Sequence, residues 1–566
     1  MRVPIWLRIT AALWAAVFLF IALTLPPSAR EAQGFSGGHV RRGAFHVHSV
    51  ASDGGGTREE IARAASRAGL DFVILTDHGD GTRPPAAPEY LRRVLVIDGV
   101  EVTTSGGHYA AFGAARAPYP LGGPPYAVIE DVARLGGFGA AAHPDSAKAE
   151  LRWRDWTARV DGVEWINGDS AWRDEGALTL ARGLIDYLFR PAPVLAGLVE
   201  RPGRLLQRID DMSRARRVVA LAGADAHARL PLTTDDEPYE ASWTVPAPSY
   251  VQSFRAFANL VETGEPMTGN AEQDAAALMR AIRDGRVAFA MTSLAQPAQL
   301  SFLATAWSGD VGLAHAMGAR IPPGQPVTFS VRTSDVLKSG MSLVRLALLR
   351  DGRIVKAAEG PQLSHHVEDA RGVWRVEATL AHRPDVPWLL GNPIVVGDDE
   401  TAAPEPDPAP AASLDIAGGA WAVEKQEHSD GTVEAAGGGQ RFSYQLAGGA
   451  LASQFAAAVR PTGSTDAWDT VVLTARADTP TRLWVQLRLS DSRTGQRWGR
   501  SIYVDETSRT YRLPLRDFGP LEPRASASRP NVVQVHAVLI VVDTVNTAPG
   551  AAGQIAVDSL QLQRQP

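Results

Sequence analysis

Along the first half of the chain, short apolar runs repeatedly end on a histidine or a carboxylate. Phe45-His46-Val47-His48-Ser49-Val50 alternates as a short strand does, which sets His46 and His48 on one face, about 6–7 Å apart. A glycine-rich turn carrying Asp53 follows, then a helix that opens with a capping box, Thr57 to Glu60, and stops at Gly69. The apolar run 72–75 leads into Thr76-Asp77-His78, the run 95–100 leads into Glu101, and Gly107-His108 opens a strand over 109–112. Residues 139–142 lead into His143-Pro144-Asp145, and residues 218–224 into Asp225-Ala226-His227. The pattern predicts strand, ligand loop and helix, repeated.

Residues 160–167 predict one more strand, ending in Asn167-Gly168-Asp169-Ser170, a polar group at a strand terminus that could face the site; polar residues in such a turn, Asp169 included, are more often structural than ligating. From 177 to 217 the apolar period becomes helical, through Leu178, Leu180, Ala181, Leu184, Ile185 and Leu188, then Leu205, Leu206, Ile209 and Met212 after Pro202. This helical insert could wall the pocket, but the expected role is to cover the barrel. An amphipathic helix over 273–284 stops at Gly285, and residues 287–291 are expected to supply the strand that closes a barrel spanning 43–294.

Of the 13 histidines, six (46, 48, 78, 108, 143 and 227) fall at these strand edges. A barrel of parallel strands gathers its strand C-termini on one face, where such folds place their chemistry. Imidazoles and carboxylates without thiols suit divalent Zn, Mn, Fe or Mg.

Taken together and in this order, HxH…D, TDH, a lone Glu followed by Gly-His, AHPD and DAH resemble the polymerase-and-histidinol-phosphatase (PHP) family of metal-dependent phosphoesterases. The resemblance covers about residues 40–294. It implies an α/β fold, a distorted (β/α)7 barrel with up to three divalent metals at the strand C-termini. It further implies that His46, His48, Glu101 and Asp225 form a first metal site. Glu101, His108 and His143 would form a second, with the glutamate bridging, and Asp53, His78 and His227 a third. All nine positions carry a residue able to bind metal. Arg229, two residues past His227, could reach a phosphate oxygen beside the catalytic Glu101 and Asp225.

From residue 296 strand-length alternation takes over. Residues 327–332, 343–349, 373–378 and 393–396, with an Asp351-Gly352 hairpin turn, predict a small β-sandwich over 297–399. His365-His366 reads as a surface pair in a turn. Residues 401–413 form a Pro/Ala linker. Residues 414–566 predict a jelly-roll that resembles carbohydrate-binding modules, so the fold class is a barrel followed by two all-β sandwich modules. Trp468, Trp484 and Trp498 could offer a glycan a stacking platform, although core tryptophan is the more frequent role, and Asp543 and Asp558 could hold Ca²⁺.

The 566-residue chain carries a net charge of −6 and no basic block, which argues against a specific nucleic-acid surface. It has no cysteine, and so neither disulfides nor thiolate ligands. Arg2 and Arg8 flank the start of a 17-residue apolar stretch, 9–25, ended by Pro26-Pro27. Its length lies between a signal-peptide core and a membrane span. The expected reading is an uncleaved anchor, with a cleaved signal as the alternative, residues 26–42 as a tether and the body on the periplasmic or extracellular face.

The chemistry expected is hydrolysis of a phosphorylated small molecule or phosphodiester by metal-bound hydroxide. Gly34-Phe35-Ser36-Gly37-Gly38 matches G-x-S-x-G, but no strand precedes it and no helix follows, which is the wrong setting for a nucleophile elbow. The rivals are a metal-assisted amidohydrolase, and an envelope glycan-binding protein with a metal-stabilised barrel.

Overall fold

The computed structural model describes residues 4–36, 39–173, 183–184, 186–231, 243–398, 409–449, 453–462, 468–521 and 530–566. They form two compact units, one of residues 1–79, 85–115 and 136–401, the other of residues 80–84, 116–135 and 402–566.

The first unit holds a barrel of seven strands: β1 (Val40–Val47), β2 (Phe72–Leu75), β3 (Val94–Thr104), β4 (Gly107–Phe112), β5 (Phe138–Ala141), β6 (Gly162–Asn167) and β7 (Val219–Ala226). They pair in that order, and β7 pairs back onto β1. Both faces of these strands are buried. Val73, Leu75 and Val96 pack with Ile61, Ala62 and Ala65 of helix Arg58–Ala68, while Phe72, Ile74, Leu95 and Ile97 pack with Phe45, Phe112 and helix Ala271–Arg283. That two-sided burial is why the sequence shows continuous apolar runs instead of strict alternation.

Two features differ from a simple parallel barrel. β4 runs antiparallel to both β3 and β5. A tight turn at Ser105-Gly106 makes β3 and β4 a hairpin, closed by the Thr104 hydroxyl donating to Gly107 O. His108 therefore reaches the ligand end of the barrel from the start of its strand. The strand Val287–Ala290 does not close the ring. It pairs with Ala258–Glu262 on one side and Arg383–Gly391 on the other, so the sheet continues from the barrel into the β-module. A separate four-stranded sheet includes Leu300–Ser308, Val327–Thr333 and Gln362–Val367. Phe329 from this sheet stacks on Trp374 from the continuous one, with ring centroids 4.1 Å apart.

Other expectations are adjusted. Residues 26–42 are no free tether: Arg30–Glu31 pairs with Ala295–Gln296, and Gln33 bridges to Asp335. His365-His366 lies within the strand Gln362–Val367, not in a turn. Of the insert, Leu178, Leu180, Ala181 and Ile185 lie outside the described residues, as do 401–408 of the linker. Leu184 and Leu188 are exposed, whereas Leu205, Leu206 and Ile209 are buried on helix Gly203–Ala215. The apolar N-terminal segment is the helix Ile5–Thr24, long and apolar enough to cross a membrane.

The second unit contains two six-stranded sheets. Its core takes in Trp468 and Trp498, 6% and 1% exposed, and Trp484 packs half-buried against Leu539 and Val541. Trp468 and Trp498 are thus core residues, and Trp484 is partly buried, so the three form no common exposed platform. Asp543 and Asp558 stand on strands of different sheets, bonded to Val545 N and the Ser508 hydroxyl, so they make no Ca²⁺ pair. Residues 116–135 contribute the helix Pro125–Arg134. Its Asp131 and Glu130 clasp the buried guanidinium of Arg482 at 2.8 and 2.7 Å.

Candidate metal centre

All nine sequence-predicted ligands meet at one end of the barrel. Glu101, on β3 and 1% exposed, is the hub. Its Oε1 lies 2.9 Å from both His108 Nδ1 and His143 Nε2. Its Oε2 faces His46 Nε2 at 3.2 Å, and His48 Nε2 and His78 Nδ1 at 3.3 Å. Asp225 Oδ1 lies 3.5 Å from the Nε2 atoms of both His46 and His48. Asp53 takes His227 Nε2 at 3.1 Å, His48 Nδ1 at 3.2 Å and His78 Nε2 at 3.7 Å. Four overlapping groups of donors come within ion-sharing distance: His46-His48-Glu101, His46-His143-Asp225, His78-Glu101-His108 and His48-Asp53-His78-His227. His78 thus stands between Glu101 and Asp53 and belongs to two of them.

The backbone bends to deliver these ligands. His46, His143 and Asp225 have φ of +64°, +29° and +45°, a region that non-glycine residues rarely enter. The β1–β7 register shifts between Phe45 and Val47, around His46, so a bulge as well as alternation brings the His46 and His48 rings to 5.1 Å. Such outliers persist where surrounding structure over-determines them, and they cluster at functional sites.

Charge explains the rest. Burial pulls the His46 and His48 imidazoles toward neutrality, but neighbouring carboxylates prevail and hold both well above the usual histidine range. His143 and His227 are raised in the same way. Burial pushes Glu101, Asp225 and Asp53 up, yet the imidazoles around them hold all three well below the usual carboxylate range. His78 is lowered, mainly by burial.

The donor set fits a group of divalent cations. The Nε2 atoms of His46 and His48 are buried and have no hydrogen-bond partner among the described residues, although both face Glu101 and Asp225. Unsatisfied buried nitrogens aimed at carboxylate oxygens are what a cation would reconcile. Arg229 instead lines a cavity of about 30 Å³ with Gly168, Asp169, Asp225 and His227.

Four residues support the ligands, and two of them, Glu164 and Tyr250, escaped the sequence reading. Asp77, buried beside His78, accepts Ser49 N, the Ser49 hydroxyl and the Ser52 hydroxyl, each at 2.7 Å, and so pins the loop that carries Asp53. Tyr250 donates its hydroxyl to His48 O at 2.7 Å. Glu164 and Asn167, both on β6, hydrogen-bond to ligand residues. The Thr76-Asp77-His78 motif pointed at Asp77; a glutamate inside a strand and a distant tyrosine gave no comparable signal.

No family model and no curated protein sequence matches the chain. Among solved structures, a two-domain protein from Bacteroides vulgatus containing a predicted PHP-like metal-dependent phosphoesterase aligns with 65% of this chain and 99% of its own. Its identity is 14% and its TM-score 0.29. A family 11 carbohydrate-binding module from Clostridium thermocellum, in complex with a β-1,3-1,4-mixed-linked tetrasaccharide, aligns with 27% of this chain and 95% of its own. Its identity is 16% and its TM-score 0.22. Likenesses at TM-scores this low do not establish a shared fold.

Proposed function

We propose that the barrel is a metal-dependent phosphoesterase acting on a phosphorylated small molecule or a phosphodiester. The observation that carries this is the double use of Glu101, whose two oxygens face separate sets of imidazoles. A carboxylate in that position can bridge two cations. His46, His48, Asp225 and Glu101 would hold one, Glu101, His108 and His143 a second, and Asp53, His78 and His227 a third. Divalent cations at such a site lower the pKa of a water toward neutrality and hold the attacking and leaving oxygens of an in-line displacement.

The chain's own contribution is to fix and dry the site. His46, His48, Glu101, His143 and Asp225 are all less than a tenth exposed. Asp53, His78 and His227 are more open, with side chains 13%, 22% and 20% exposed, which makes theirs the side from which substrate enters. Arg229 is proposed to contact a phosphate oxygen there. Ile5–Thr24 is proposed to anchor the protein with its body outside the cytoplasm.

Turnover of a panel of phosphomonoesters, phosphodiesters and cyclic amides by metal-replete protein tests the reaction class. Phosphoester hydrolysis lost in Asp225→Ala is expected. Hydrolysis of the amides alone would place the chain with the amidohydrolases.

A further inference from the structure

Glu164 is buried on β6, 1% exposed, and is absent from every ligand set. Its Oε1 lies 2.6 Å from His46 Nδ1. Its Oε2 accepts the backbone N–H of His143 at 2.7 Å and Asn167 Nδ2 at 2.9 Å. Asn167 Nδ2 also donates to Asp225 Oδ2 at 3.1 Å. One carboxylate therefore reaches His46, His143 and, through Asn167, Asp225. These are the three ligands with positive φ, and they make up one of the ion-sharing groups.

The contacts leave the metal-facing atoms free of Glu164. A carboxylate can only accept, so His46 must carry its proton on Nδ1, which turns the Nε2 lone pair toward Glu101 and Asp225. The neighbouring strand makes room for this arrangement. A Cβ on Gly223 of β7 would lie 2.1 Å from Glu164 Oε1. A methyl group there could be admitted only by swinging the carboxylate off His46.

We propose that Glu164, admitted by Gly223, is the positioning residue that sets the His46 tautomer and holds the carboxylate of Asp225 for the first cation, and holds the backbone of His143, a ligand of the second. This rests on the metal-centre reading above. Partners in this role typically alter affinity about 10–100-fold when removed.

The test is a Co²⁺ titration of metal-free protein followed by calorimetry and by the visible absorption of the bound ion. It is run on wild type, Glu164→Gln, Gly223→Ala and the double variant, alongside the unfolding midpoint of each metal-free protein. The expected result has three parts. In Glu164→Gln the Co²⁺ site using His46 weakens about 10–100-fold with a changed spectrum, and the Asp53-His78-His227 site, whose ligands Glu164 does not contact, keeps its affinity. Gly223→Ala shows the same selective loss. The double variant is no worse than Glu164→Gln alone, because both changes act through one carboxylate. Wild-type affinity and spectrum in Glu164→Gln would overturn the proposal, as would an equal loss at every site or additive effects. If Glu164→Gln does not fold, the Gly223→Ala titration decides. If wild type itself takes up no Co²⁺, the metal-centre reading falls, and this one with it.

Discussion

Five imidazoles converge on the two oxygens of Glu101, so its charge is the residue-scale feature on which the site most depends. Glu101→Gln is expected to lower total bound metal by more than one equivalent, measured by elemental analysis, whereas His46→Ala should lose one. Loss of a single ion from Glu101→Gln would argue against a bridging carboxylate. Eight of the nine candidate ligands were legible in the sequence because each stands within or at the edge of a strand-like apolar run, where a core does not bury such a residue unpaired. Asp53 was legible as the carboxylate of the glycine-rich turn after β1. Glu164 was not, since Val163-Glu164-Trp165-Ile166 reads as ordinary alternation; only the closure of β7 against β1 and β6 shows which way its side chain points. The positive φ values of His46, His143 and Asp225 were equally hidden, because the strain is imposed by tertiary contacts.

At the scale of elements, the apolar pattern marked all seven barrel strands, but not how they join. The reversal of β4 follows from a tight turn whose bonds depend on Thr104, and the strand Val287–Ala290 carries the sheet onward because Arg383–Gly391 is there to receive it. Truncation separates two expectations. Protein beginning at Arg30 keeps the Arg30–Glu31 pairing and should match the full chain in metal content and unfolding midpoint. Protein beginning at Gly43 loses that strand and the Val40–Arg42 pairing with Leu260–Glu262, and its midpoint should fall by several degrees. Equal midpoints would mean the N-terminal strand is ornamental. A second expectation concerns Arg482, whose guanidinium is 1% exposed against Asp131. Asp131→Ala should destabilise the second unit by about 3–5 kcal/mol in denaturant unfolding, since it leaves a buried charge without its buried partner. A cost below about 1 kcal/mol, the range of exposed pairs, would show that the pair is solvated. The Pro/Ala run suggested a module starting at 414, and no local pattern hinted that residues 116–135 group with it.

For the whole molecule, pH and metal act against each other. In metal-free protein the raised histidines (His46, His48, His143 and His227) stabilise the fold below their unfolded pKa of about 6.5. That contribution is lost as pH rises through their folded values. The lowered carboxylates Asp53, Glu101 and Asp225 stabilise it above about pH 4, a contribution lost as pH falls toward their folded values. Metal-free protein should therefore weaken from about pH 6.5 upward, while metal affinity rises because ions need neutral imidazoles. The midpoint gap between loaded and metal-free protein should widen from about pH 6 to 8; a constant gap would contradict that coupling.

The most direct measurement is a titration of metal-free protein with Mn²⁺ or Zn²⁺ in which bound ion and phosphoester turnover are read on the same samples. Turnover should be absent without metal, rise as the second and third equivalents bind, and vanish with chelator. Turnover that persists in chelator, or stoichiometric metal uptake with no turnover of any mono- or diester, would contradict the account.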